Sequence, residues 1–437
     1  MRKLFIIILL LQVLLLSLFA RGSMEEEKIV IEYWTHEDVN RQVLEDRYAK
    51  EFMQMNPNVF IDIKRFSSFK MLSLVRNAFI AGAGPTIFNL SSVEAYQFID
   101  ANKVSPVDYK SVGYSSLKAL EDAYIPGSLE PCMFEGKPYG LPLEMTNWSI
   151  FINKRVFREA GIDPETEYPK TWEDMVELSK KLVVRDTNGI IVRRGFDFRY
   201  PYYLEAMIPM VEQLGGSLIS EDGKEAIVGK EAWVKWLTFM RDWGPFGLNL
   251  GSPTYKNARY LFNLNDGQVA MANTGLYQEA RIKSENPEFY ISDDWMVVPF
   301  PRFKDSVRDV AACYYGQYFM VNSSKSEKTQ RLAWEFIGYM LSHSVEYLER
   351  VNLVQPTHEL IGSSTYQNIP YSKVFADDMR KSHALYSSPN SNALQKLIGD
   401  AVESVMLQGV EPETAYIFLK SSAQELLDEN QKRESLN

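Results

Sequence analysis

Between residues 28 and 90 the chain alternates strand and helix signals, and that alternation constrains the fold more than any other feature. Residues 28–34, KIVIEYW, place β-branched and apolar side chains at every second position, the pattern of a strand with one buried face. A polar loop follows at 35–40. Val43, Leu44, Tyr48, Phe52 and Met55 then recur at roughly helical spacing until Asn56-Pro57 stops them. Residues 59–63 read as a second strand and 72–80 as a second helix. Ala81-Gly82-Ala83-Gly84-Pro85 ends that helix, and 86–90 form a third strand. Strand, helix, strand, helix, strand predicts an α/β unit on a largely parallel sheet.

At 437 residues the chain exceeds one ordinary core, so two lobes are expected. The middle reads as helices over 154–160, 171–182, 202–214 and 230–242, with Thr171 as an N-cap and the acidic Glu173 and Asp174 in the first turn. Strands are expected at 268–272, 294–299 and 316–322, and helices at 328–341, 392–408 and 412–428. The formal net charge is -10 and no Lys/Arg run builds a basic face, which excludes an ordinary nucleic-acid binder. Cys132 and Cys313 are too few for a disulfide framework and read as unpaired, buried thiols. The four histidines, His36, His343, His358 and His383, show no local metal-ligand spacing, so no metal site and no cofactor are expected.

The amino terminus has its own pattern. Arg2 and Lys3 precede an apolar run over 4–20, followed by Arg21, Gly22 and Ser23. A basic start, an apolar core and small residues describe a secretory signal over 1–23. The alternative is an uncleaved membrane anchor, since the run is only slightly short for a bilayer. Either places the mature chain in the periplasm or outside the cell.

Residues 135–181 carry no nucleophile, metal cluster or phosphate loop. They run from a Gly136-Lys137-Pro138 turn through Asn153-Lys154 to Thr171-Trp172-Glu173-Asp174, and they resemble the extracytoplasmic solute-binding proteins of ABC importers, the family that includes the maltose-binding proteins. Four further blocks match in order: residues 81–87, AGAGPTI, with Thr86 where the family usually has Asp; 262–277, FNLNDGQVAMANTGLY; 316–341, with its Ala-Trp-x-Phe helix; and Val354-Gln355-Pro356-Thr357 with the helical tail. The resemblance implies a two-lobe periplasmic-binding-protein fold of type II, with a hinge crossed three times. Lobe 1 would comprise 24–143 and 300–341, and lobe 2 would comprise 144–299 and 342–437.

Ligand would then lie between the lobes, at the loops leaving the strands. From lobe 1 and the hinge the expected contacts are Trp34, His36 and Glu37, then Asn89, Ser91 and Glu94, then Glu144, Thr146 and Asn147, and Tyr315 before the late strand. From lobe 2 they are Arg199, Tyr200, Tyr202 and Tyr203, with Tyr277 and Trp295; Trp243 is a further candidate. Sugar hydroxyls both donate and accept, so a sugar cleft needs acids, amides and Arg beside flat aromatic faces. Trp172 and Trp334 are read as core.

The leading functional reading is capture of a sugar or oligosaccharide by a monomer that closes about its hinge and delivers the ligand to membrane permease subunits of an ABC importer. Alternatives are a non-sugar solute on the same fold, a binding subunit that feeds a membrane sensor, and a secreted glycoside hydrolase. The hydrolase would need two carboxylates flanking a glycosidic bond. The adjacent pairs Glu37-Asp38 and Asp293-Asp294 read as solvated surface, so no catalytic residue is expected.

Overall fold

A computed structural model describes residues 28–198, 204–251, 258–385, 388 and 390–434. Two sheets organise it. The first begins with β1 (Ile29–His36), α1 (Val39–Met55), β2 (Val59–Phe66), α2 (Ser68–Ile80), β3 (Ile87–Ser91) and α3 (Ser92–Asp100). The alternation read from the sequence is therefore present, with each boundary close to its expected place. Strand β1 pairs in parallel with β2 from Ile29↔Val59 to His36↔Phe66, and with β3 at Tyr33↔Ile87. Ile87 to Leu90 are all buried, as expected of an inner strand covered on both faces.

The chain continues through β4 (Leu141–Thr146) and β5 (Ser149–Asn153), which the sequence showed only as an apolar run. It then passes through α4 (Trp172–Leu182), α5 (Leu204–Gln213), α6 (Lys230–Trp243), α7 (Ala258–Leu264), β6 (Met271–Thr274), α8 (Tyr277–Glu285) and β7 (Trp295–Val298). The last part comprises β8 (Tyr315–Val321), α9 (Glu327–Leu341), α10 (Ser344–Val351), α11 (Ser372–Met379), α12 (Ser391–Leu407) and α13 (Pro412–Glu434). The first sheet has the order β2-β1-β3-β8-β4, with β8 antiparallel to both neighbours; the second is antiparallel, in the order β6-β5-β7.

Local chemistry explains the helix starts. Asp38 caps α1 by accepting from the amides of Asn40 and Arg41. Thr171 and Asp174 form a reciprocal capping box on α4. The buried face of α1 differs from the expected one. Leu44, Tyr48 and Phe52 are buried, but Val43 and Met55 are exposed, and Arg41 and Glu45 take the remaining inward positions. A salt bridge of 3.2 Å joins those two, and Tyr33 Oη donates to Glu45 at 2.8 Å, so each buried charge has a partner.

Trp172 and Trp334 are core, as read. Trp172 packs among Phe196, Phe198, Phe300 and Phe303 and donates to Gln213 Oε1 at 3.2 Å. Trp334 packs with the first sheet. The tail helices α12 and α13 pack on α6. Cys132 and Cys313 are free thiols, both buried.

Three passages join the halves. Only Asn147 and Trp148 separate β4 in the first sheet from β5 in the second. Residues 299–314 return the chain from β7 to β8. The third passage begins at α10, which packs Tyr347 and Val351 with the first sheet's core and Leu348 with a cluster that contains Phe151 and Trp295 of the second.

Candidate functional site

Strand ends, the shortest passage and one helix start converge between the sheets. The carboxyl end of β1 contributes Thr35, His36 and, just beyond, the cap Asp38. Arg41, one turn into α1, reaches back: its Nη2 donates to Thr35 Oγ1 and, at 3.0 Å, to the His36 carbonyl. From the other half, α8 brings Arg281 onto Asp38 at 3.2 Å. A second contact, Asn40 Nδ2 to Ser284 Oγ at 3.1 Å, joins the same two helices. The guanidinium of Arg281 lies 5.4 Å from the ring centre of Tyr277, and that of Arg259 lies 5.6 Å from it. Arg259 also donates to Tyr277 Oη at 3.3 Å. Cations over an aromatic face are held by the ring's quadrupole.

The passage itself is densely polar. Glu144, Thr146 and Asn147 are all buried. Thr146 Oγ1 donates to the Asn147 carbonyl at 2.9 Å and accepts from the Leu276 amide at 3.4 Å, which ties the crossing to the loop that opens α8. Trp148 meets Tyr315 with ring centres 5.7 Å apart, and Tyr315 meets Tyr277 at 6.4 Å. Glycine is required twice in this seam. A Cβ on Gly275 would stand 2.7 Å from the Tyr277 ring and 2.8 Å from Thr146 Cγ2, and one on Gly316 would stand 2.7 Å from the Glu144 carbonyl oxygen.

Electrostatics follow from burial. Glu144 is pushed up to about 7 by desolvation, against which Arg41, Arg281 and Arg259 act while Asp38 adds to the rise. Burial, followed by the nearby Arg41, holds the His36 imidazole well below its ordinary range. Among the described residues, Asn89 and Asn147, both fully buried, have no partner for either end of the carboxamide. Buried amides are normally satisfied, so the orphaned Asn147, next to Trp148 in the aromatic seam, points to groups supplied from outside the chain.

A carboxamide- and arginine-lined seam between two sheets, without a nucleophile–base pair among the described residues, is chemistry for holding a polar ligand. The bacterial extracellular solute-binding protein family matches residues 41–347, well over half of the chain. The chain belongs to that family. Among relatives of this solute-binding protein, the arabinooligosaccharide-binding protein of Halalkalibacterium halodurans is 26% identical over 209 residues, 47% of this chain and 44% of the relative. A putative binding protein of Brucella abortus is 21% identical over 299 residues, 68% of this chain and 67% of the relative. The chain thus spans under half of the first relative's length. Similar solved structures include a solute-binding protein from Thermotoga lettingae bound with α-D-tagatose (TM-score 0.78, 17% identity, 91% of this chain and 100% of that one). The maltose/maltodextrin-binding domain from Bdellovibrio bacteriovorus bound to maltotriose is also similar (TM-score 0.76, 19% identity, 92% and 100%). At these identities the structures establish a shared fold: the two-lobe α/β architecture of the maltose-binding-like proteins.

The structure of this solute-binding protein brings His36, Glu144, Thr146, Asn147, Tyr277 and Tyr315 into one seam. Asn89 lies on the inner strand β3. Ser91 and Glu94 engage each other as the capping box of α3, with Ser91 Oγ donating to Glu94 Oε2 at 2.8 Å. Trp34 lies 5.0 Å from the Phe66 ring, with its indole N–H buried and unpartnered. Glu37 is exposed. Trp295 is packed among Phe151, Tyr290 and Tyr371, and its indole donates to the Tyr290 carbonyl at 3.0 Å. Trp243 is enclosed by Phe196, Phe198 and Phe239. Arg199, Tyr200, Tyr202 and Tyr203 lie outside the described residues.

Sequence reasoning missed Asp38, Arg41, Arg259, Arg281 and Glu205. Asp38 and Arg41 look like an ordinary helix start. Arg259 and Arg281 stand in segments where only the tyrosine drew notice. Glu205 reads as a first-turn acid. It is buried, with one carboxylate oxygen unpartnered, and is pushed up to about 8 by desolvation, to which the charge of Glu94 from the other half adds.

Proposed function

We propose that this protein captures a carbohydrate, a sugar or short oligosaccharide, between its lobes, closes about the passages and delivers the ligand to the permease of an ABC importer. The observation that carries the reading is the pair of orphaned carboxamides: Asn147, in the first passage next to Trp148, whose ring meets Tyr315 and through it Tyr277, and Asn89 on the inner strand β3. A carboxamide donates and accepts at once, as a sugar hydroxyl does, and the rings offer flat faces to the C–H side of a pyranose. The relatives and neighbours named above are described as binding arabino-oligosaccharide, tagatose and maltotriose, which supports the same solute class. In this reading the lobe boundaries are those expected from the sequence, residues 1–23 direct export to the periplasm or cell exterior, and the protein binds without transforming its ligand.

Glu144, Thr146, His36 and Tyr277 complete the proposed contact set, with Glu94 and Glu205 facing the ligand from opposite lobes. Affinity for such a cleft falls at about micromolar, roughly -8 kcal/mol. The test is native mass spectrometry of the protein as purified, followed by thermal-shift titration against a panel of mono- and oligosaccharides. Retention of a hexose or pentose oligomer, with a saturable rise in Tm, is the expected result. A glycerophosphodiester or polyamine that shifts the protein while every sugar fails would overturn the solute class and leave the capture mechanism standing. Release of shorter sugars during incubation would instead point to a hydrolase.

A further inference from the structure

Away from the seam, three segments far apart in sequence meet around Glu212, Cys313 and His383. Glu212 is on the last turn of α5, Cys313 closes the 299–314 passage two residues before β8, and His383 follows α11. One ligand-type atom from each lies within 4.8 Å of the others. His383 Nε2 is 2.8 Å from Glu212 Oε2, and Cys313 Sγ lies 3.8 Å from Nε2 and 3.9 Å from Nδ1. The His383 Nδ1 lies 2.8 Å from the Ala384 carbonyl and donates to it. That bond fixes the ring and its tautomer and leaves Nε2 for a ligand, the outer-shell arrangement that metal-bound histidines use. A cavity of about 380 Å³, lined by Glu212, Ser217, Glu221 and His383, opens beside the cluster and gives solvent a fourth position.

We propose that Glu212, Cys313 and His383 bind a divalent cation of the zinc class. Thiolate, imidazole and carboxylate together suit Zn²⁺ and disfavour Ca²⁺ or Mg²⁺, which take oxygen ligands. A tetrahedral zinc holds its ligand atoms roughly 3.3–3.6 Å apart, within about 1.5 Å of the separations seen, an adjustment that rotations of the Glu212 and Cys313 side chains supply. Binding releases the Cys313 thiol proton and the proton shared between His383 and Glu212, and a water from the cavity completes the four ligands.

The place of the site gives it a role. The 299–314 passage is already fastened to the second lobe. Gln213 bonds the carbonyls of Pro301 and Val310 at 3.0 and 2.9 Å, the Cys313 amide donates to the Glu205 carbonyl at 2.7 Å, and the Tyr314 amide donates to the His383 carbonyl at 2.8 Å. The next strand, β8, belongs to the first lobe. A cation on Cys313 therefore clips the passage next to its last fastened residue, Tyr314, and confines bending to Tyr315 and beyond.

Metal-free protein is titrated with Co²⁺ and then Zn²⁺. The expected result is one equivalent of Co²⁺ with sulfur-to-cobalt charge-transfer absorption, displaced by Zn²⁺, and a rise in Tm with Zn²⁺ but not with Mg²⁺. Cys313→Ser abolishes the charge-transfer band and Cys132→Ser keeps it. Because Cys313 is buried and its variant can misfold, His383→Gln, at a partly exposed residue, is measured in parallel. Loss of that ligand weakens binding by more than the roughly 10-fold at which outer-shell effects begin. Absence of cobalt–sulfur absorption in the wild type, or undiminished affinity in folded His383→Gln, overturns the site. Neither outcome bears on sugar capture, which uses other residues.

Discussion

Asn147 in the first passage and Glu144 on the strand that enters it each carry a burial cost in the free protein. The Asn147 carboxamide has no partner at either end. Removing an unsatisfied buried group relieves its desolvation penalty, so Asn147→Ala is expected to leave Tm unchanged or raise it, while weakening sugar binding by about 10-fold or more, equivalent to ~1.4 kcal/mol. Thermal-shift titration with the sugar that stabilises the wild type reads both effects at once. Equal affinity in the variant would remove Asn147 from the contact set. Glu144 sets a pH dependence. Its folded value is about 7 against an ordinary 4.5, so between these the folded state holds a proton that the unfolded chain has lost. Stability therefore falls as pH rises through that window and levels off above it, by about 3 kcal/mol in all. Glu144→Gln is expected to flatten this slope in denaturant titrations at pH 5 and pH 8, approximate ends of the window. A slope that persists unchanged assigns the effect to another group.

Among elements, the start of α4 and the loop that opens α8 make separate demands. The Thr171 hydroxyl accepts from the Asp174 amide at 3.0 Å, and Asp174 returns the bond to the Thr171 amide at 3.0 Å. Thr171→Ala is expected to cost about 1 kcal/mol in urea unfolding with ligand affinity untouched. This cap was legible in the sequence because capping is local: the bonded atoms are three residues apart. The α8 loop was legible only as a motif. Gly275 stands against both the Tyr277 ring and Thr146, and Thr146 belongs to another strand. Gly275→Ala is expected to destabilise by about 1–3 kcal/mol through overpacking and to displace Tyr277, with affinity falling too. A folded variant of unchanged stability and affinity would show that the seam has slack. Strands β4 and β5 went unread because their apolar run has neither alternation nor a turn signal between them. Only pairing with β8 and with β6 and β7 assigns them to different sheets.

For the whole molecule, one contact between the halves is an ion pair flanked by a hydrogen bond. Asp38 belongs to the cap of α1, Arg281 to α8, and they meet at 3.2 Å with little exposure. If closure draws on this pair, Arg281→Ala opens the protein. Small-angle scattering is expected to show a larger radius of gyration without sugar and recovery of the wild-type value at saturation. Apparent affinity drops because part of the binding energy now drives closure. Identical scattering curves with and without the substitution would place the closing force elsewhere. None of the four charged residues at this junction, Asp38, Arg41, Arg259 and Arg281, was among the expected contacts. A charge at a helix start or in mid-helix gives no local sign of what another lobe will bring to it.

The sequence by itself determined the strand–helix order of the first lobe and the Thr171 cap, which rest on hydrophobic period, β-branching and short-range hydrogen bonds, all of which operate within a few residues. The core placement of Trp172 and Trp334 and membership in a fold of two α/β lobes came from the resemblance of its motif blocks to the family. Tertiary structure decided which polar groups meet. It placed Asn147 and Asn89 without partners, set Arg281 on Asp38, packed Trp295 among aromatic side chains, and gathered Glu212, Cys313 and His383. The histidines showed no metal spacing because spacing along the chain reports a site only when its ligands share one turn or loop. Here the ligands come from a helix end, a passage between lobes and a loop after α11, and their proximity arises from packing that no local pattern encodes.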